Sequence, residues 1–121
     1  MTDRILELGG VPVLVCAEVG PPLASDREAS DIVGEALGGG VRVIAIPVGR
    51  LPPAFLDLKS RLAGEVLQKF VNYGLQVALV GDVSAAVARS GPLRDFVRES
   101  NRGRSVWFVE DLAALEAKLA G

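Results

Sequence analysis

The sequence predicts an α/β fold: a mixed, mostly parallel sheet that opens with an antiparallel hairpin at its edge and carries its helices mainly on one face. Three observations predict it. Two short β-rich runs flank a Gly-Gly pair near the amino end, three later runs are almost wholly apolar, and each of those three is followed by a segment of helical periodicity. Alternating strand and helix signals are the mark of a parallel sheet with crossover helices.

The hairpin comes from residues 3–8, "DRILEL", and 11–17, "VPVLVCA", separated by Gly9 and Gly10. Adjacent glycines accept the positive φ values of tight primed turns. Pro12 cannot donate a ladder hydrogen bond, so it belongs at the beginning of its strand or on an open edge. Ser25 is placed to cap a helix whose apolar positions Ala29, Ile32, Val33, Ala36 and Leu37 recur at three- and four-residue intervals. Asp26 and Glu28 lie in its first turn, where the helix dipole favours anions, and Gly38, Gly39 and Gly40 end it.

Residues 41–48 "VRVIAIPV", 75–81 "LQVALVG" and 105–109 "SVWFV" read as strands contacted on both faces. The helices that follow them are expected at 53–73, closed by Gly74; at 93–101, with Ser90 as cap, Pro92 in the first turn and Gly103 beyond the end; and at 111–120. The order is β-β-α-β-α-β-α-β-α. If every crossover advances in one direction, the major helices share one side, leaving an apolar sheet face that a homodimer would cover. The alternative is a doubly wound sheet with helices on both sides.

With 121 residues the chain is expected to form a single domain, 1–121, with an ordinary core. Half of its residues are hydrophobic, yet no apolar run approaches the ~18 residues that span a bilayer, and the first residues lack a basic and then apolar leader pattern. A cytoplasmic protein with no membrane partner is expected. The lone Cys16 forms no intrachain disulfide, which agrees with a reducing compartment. A net charge of −2 argues against a general polyanion binder.

The chain contains no histidine, which removes the commonest general base and metal ligand and every Ser-His or Cys-His pair. Neither a Walker loop nor a dinucleotide-binding glycine pattern occurs. Neither catalytic residues nor a cofactor or metal site is assigned, and the reading leans away from an enzyme. Carboxylates do gather at the carboxyl ends of the strands. Glu18, Asp82 and Glu110 are the candidate ligands of a small-molecule or Mg²⁺-phosphate site there, the end of an open α/β sheet that ligands favour. Capping of the following helices is the competing explanation for the same carboxylates. Arg94, Arg98 and Arg102 recur every four residues, but Asp95 and Glu99 supply local partners and no aromatic residue is available on that face for base stacking, so no nucleic-acid partner is expected.

The helix expected at 53–73 is the most informative element. Phe55, Leu58, Leu62, Ala63, Val66, Leu67 and Phe70 mark its sheet-facing side. Asp57, Arg61, Glu65 and Lys69 form an alternating-sign ladder on the other, worth only about 0.2–0.5 kcal/mol per pair. Ser60 and Gly64 make a small-residue dent between these charges. With Arg50 of the preceding "GRLPPA" loop, residues Asp57, Lys59, Ser60, Arg61 and Glu65 are the candidate surface for a protein partner. A phosphoryl group at Ser60 would bring about −2 charge to it.

Residues 55–82, followed by "LRDFVRESNRG" and "VWFV", resemble a bacterial domain of unknown function catalogued as number 4180. The likeness covers roughly residues 41–119, and the first 40 residues match mainly in pattern. The element order is also similar to the STAS fold of anti-sigma factor antagonists. That resemblance implies a regulatory domain in which a serine near the start of the helix after the third strand is phosphorylated to switch partners. Only Asp57 and Ser60 approach that position. The usual Asp-Ser-Ser-Gly motif is replaced here by "DLKSRLAG", in which Leu58 and Lys59 intervene and Arg61 stands in place of the glycine.

Overall fold

A computed structural model describes residues 3–121. Its strands are β1 (Arg4–Leu8), β2 (Val11–Val15), β3 (Val43–Pro47), β4 (Gln76–Val80) and β5 (Val106–Val109). They form one sheet in the order β1-β2-β3-β4-β5, with β1 antiparallel to β2 and the other neighbours parallel. The fold class is therefore the expected one. Gly9 and Gly10 turn the hairpin at φ of 58° and 81°, a conformation that L side chains resist. Pro12 pairs with Glu7 of β1, and the parallel register with β3 begins only at Val13, so its missing N–H interrupts no bond of that second ladder.

Strand alternation sorts the core into two layers. Leu14, Ile44, Ile46, Val77, Leu79 and Phe108 point to the front, where they meet α1 (Asp26–Gly38), α2 (Pro53–Leu56) and α3 (Leu62–Asn72) through Ile32, Val33, Phe55, Val66 and Phe70. Two more front-side helices, α4 (Ser84–Arg89) and α5 (Gly91–Arg102), follow β4, and Phe96 of α5 meets Phe108 edge-on with ring centroids 6.0 Å apart. Val13, Val15, Val43, Ala45, Ala78 and Trp107 point to the back, where α6 (Leu112–Ala120) packs on them through Leu115. Helices thus lie mainly on one face, and this chain supplies part of the other face's cover.

The caps follow the chemistry of the sequence. Ser25 accepts from the Arg27 N–H and donates to Glu28; Ser90 accepts from the Leu93 N–H; Asp111 accepts from the Ala114 N–H. Lys69 turns away from Glu65 and instead bonds Asp26 on α1 at 2.8 Å, holding the Asp26 carboxyl below its usual range.

The helix expected at 53–73 is interrupted. After α2 the chain makes a 3₁₀ turn at Leu58–Ser60, then passes through Arg61 at φ 67° and enters α3. Asp57 accepts from the Lys59 N–H, and Ser60 Oγ donates to the Ala54 carbonyl and accepts from the Leu62 N–H. These local bonds compete with helix continuation, and the left-handed residue costs about 1–2 kcal/mol. The charge ladder therefore does not run along one helix, and Leu58 and Leu62 are half-buried where a continuous helix would enclose them. Phe96 is also half-buried. The short α4 was not expected. Asp82 initiates it by accepting from the Ser84 N–H at 2.8 Å.

Candidate functional site

Nine residues of helix extend about 14 Å, whereas five strands spread over roughly 19 Å, so α6 cannot roof the whole back face. α6 begins at Leu112, after β5, and by Ala120 reaches the hairpin turn, where its backbone lies against Gly9. The back face remains open beside its start, at the carboxyl ends of β2, β3 and β4. Val15, Ala45 and Val80 floor the opening; small Ala45 pairs with Val15 on one side and Ala78 on the other, leaving depth. The result is a cavity of about 480 Å³, closed at the sides by Leu112 and Pro47 and by the chain from Cys16 to Glu18, with Arg4 from β1 on its rim. Arg4, Leu6 and Leu8 share the back-facing register of β1, so Arg4 arrives here by strand alternation.

The wall from Ala17 to Glu18 is held by Arg50. This side chain is only 8% exposed. Its Nε donates to the Pro21 carbonyl at 2.9 Å and its Nη1 to the Ala17 carbonyl at 2.8 Å, while the Leu23 N–H donates to its own carbonyl at 2.8 Å. Gly20 makes the arrangement possible, because a Cβ there would lie 2.8 Å from the guanidinium carbon. Arg50 thus points inward, away from the five other residues expected to form a partner surface.

The same region gathers three further titratable groups. Asp3 accepts the Ala17 N–H at 2.6 Å. Burial pushes the Cys16 thiol up to about 12, aided by the Asp3 charge and opposed by Arg50, so the thiol stays protonated and unreactive. Desolvation, together with the neighbouring Asp3 carboxyl, pushes Glu35 up to about 7.

The three carboxylates read as a ligand set do not converge. Glu18 lines the back cavity, whereas Asp82 and Glu110 line a smaller hollow of about 220 Å³ between the ends of β4 and β5 and the start of α4. Asp82, one residue before the N-cap Val83 of α4, is engaged by the Ser84 N–H, and the Ser84 hydroxyl and amide hold its carboxyl below the usual range. Among the described residues, no three acidic or cysteine side chains are grouped as a metal site would require.

Asp57, Lys59, Ser60 and Arg61 stand exposed on the turn between α2 and α3, and Glu65 stands exposed in the first turn of α3. Sequence reasoning missed Arg4 as a cavity residue and Arg50 as a buried one. Period-two alternation along β1 could have supplied the first; only the three-dimensional approach of the 17–23 loop reveals the second.

Among the described residues, no helix is long and apolar enough to cross a membrane. Neither the curated proteins nor the solved structures contain a match to this chain. A family model described as "Domain of unknown function (DUF4180)" matches residues 8–119, so the likeness starts at the end of β1 and takes in the hairpin turn, β2 and α1 as well as the later elements. The chain belongs to that family.

Proposed function

We propose that the chain is a non-enzymatic, STAS-like regulatory domain of the bacterial cytoplasm that binds a protein partner through the turn leading into α3. One observation supports this reading above the others: Asp57, Lys59, Ser60 and Arg61 are exposed on a turn whose backbone is fixed by its own hydrogen bonds, with Glu65 exposed in the helix turn that follows. A preformed surface loses little conformational freedom on binding. Arg50 contributes indirectly, by holding the loop that follows β2. Because α6 already covers part of the back face, the favoured partner is a different protein rather than a second copy of this chain.

Ser60 is the point of regulation in this reading. Phosphorylation would remove the proton it donates to Ala54 and place about −2 charge between Asp57 and the cations Lys59 and Arg61. The test compares partner binding by wild type, Ser60→Ala and Ser60→Glu. Loss of binding in Ser60→Glu with retention in Ser60→Ala is expected; equal affinity in all three rejects the switch.

A second reading, a small-ligand site at the carboxyl ends of the strands, is favoured by the 480 Å³ cavity. Its Mg²⁺-phosphate form has no such support, because Glu18 lies apart from Asp82 and Glu110.

A further inference from the structure

The back cavity combines an apolar interior with one charge of each sign at its mouth. Val15, Ala45, Val80 and Leu112 offer a hydrocarbon surface with no hydrogen-bonding side chain. Arg4 and Glu18 are the charged residues that line it, both exposed, and neither forms an ion pair among the described residues. Its volume of about 480 Å³ falls within the ~300–1,000 Å³ usual for small-molecule sites. The cavity also opens at the carboxyl ends of parallel strands, where loops rather than the sheet set ligand chemistry.

We propose that this cavity binds a small zwitterion with an apolar side chain, of which an apolar α-amino acid is the simplest example. It rests on the ligand-site reading above and assigns that site a ligand class. Arg4 pairs with the carboxylate through its planar fork, Glu18 accepts from the ammonium, and the side chain enters over Ala45. The alternatives fit less well. A phosphate dianion meets the repulsion of Glu18 and finds no hydrogen-bonding side chain on Val15, Ala45, Val80 or Leu112. A plain hydrocarbon gives up the hydration of both rim charges and returns nothing to them. The site binds without reacting, since Cys16, the nearest nucleophile, is a buried and protonated thiol.

The experiment is calorimetric titration of the full chain with L-phenylalanine, L-leucine, 3-phenylpropionate, phenethylamine and inorganic phosphate, with amide NMR shifts locating each ligand. At least one of the two amino acids is expected to bind and to shift Val15, Ala45 and Val80. Removing either the ammonium or the carboxylate should weaken binding roughly tenfold. Arg4→Gln should weaken the amino acid while leaving phenethylamine unchanged, and Glu18→Gln should do the same with 3-phenylpropionate unchanged. Both residues are exposed, so neither variant threatens the fold. Equal affinity for the amino acid and both truncated analogues overturns the assigned charge roles. Phosphate binding at the same amides, without amino-acid binding, overturns the ligand class but retains a ligand site. No response to any probe at millimolar concentration overturns both.

Discussion

Replacing Arg50 with methionine removes the cation while keeping an unbranched stem of similar reach. Two charge-assisted hydrogen bonds disappear, to the Pro21 and Ala17 carbonyls, and each such bond is worth about 1.5–3 kcal/mol. Part of that loss returns as water reaches the loop, so the expected destabilisation is about 2–4 kcal/mol. Gly20→Ala attacks the same contact from the other side. Its Cβ would sit 2.8 Å from the guanidinium carbon and 3.0 Å from Nη1, which forces the bracket apart at a cost of about 1–3 kcal/mol. Because both changes break one contact, the double variant should fall short of additivity by about 1–2 kcal/mol. The assay is urea unfolding of wild type, the two single variants and the double variant, followed by circular dichroism and by Trp107 fluorescence, with slopes checked for constancy. Additivity within about 0.5 kcal/mol would refute the coupling between Gly20 and Arg50.

Phe70 is fully enclosed between α3 and the front of the sheet, so Phe70→Ala should cost about 3–5 kcal/mol in the same urea assay, and a loss under about 2 kcal/mol would contradict its packing. At the open edge of β5, the Asn101 side chain accepts the Phe108 N–H at 2.7 Å; Asn101→Leu should cost about 1–2 kcal/mol and promote concentration-dependent association by light scattering, because an unpaired edge amide is exposed. Glu35 has a folded-state value of about 7 against an ordinary 4.5, so between those values the native chain keeps a proton that the unfolded chain has lost. Stability should therefore fall as pH rises through that window, modestly because much of the side chain is exposed, and Glu35→Gln should flatten the dependence of Tm on pH; an unchanged slope would contradict the Asp3–Glu35 contact.

The strands were legible because each is a short apolar run bounded by glycine, charge or turn residues, and the sequence order of the sheet follows from crossovers that all advance one way. Ser25 and Ser90 were readable as caps because capping is a local bond. The break before α3 was misread, since hydrophobic spacing runs through it from Phe55 to Phe70. Its trace was present in Asp57 and Ser60, two residues whose side chains satisfy nearby backbone better than a helix interior does. Arg50 was read as surface charge because an arginine in a loop is usually solvated. Its burial depends on two carbonyls and a glycine about 30 positions away, which no local pattern encodes. The separation of Glu18 from Asp82 and Glu110 has a similar origin: all three follow strands, but Glu18 sits behind the sheet while the other two border the hollow beside α4.

The exposed turn before α3 as a partner surface is tested most directly by placing a photo-crosslinking residue at Lys59 in living cells, with a control at Asp95 on the solvent face of α5. A discrete protein adduct formed from position 59, absent from position 95 and abolished by Arg61→Glu in a folded variant, is the predicted result. The same adducts from both positions, or an adduct from position 59 that survives Arg61→Glu unchanged, would contradict it.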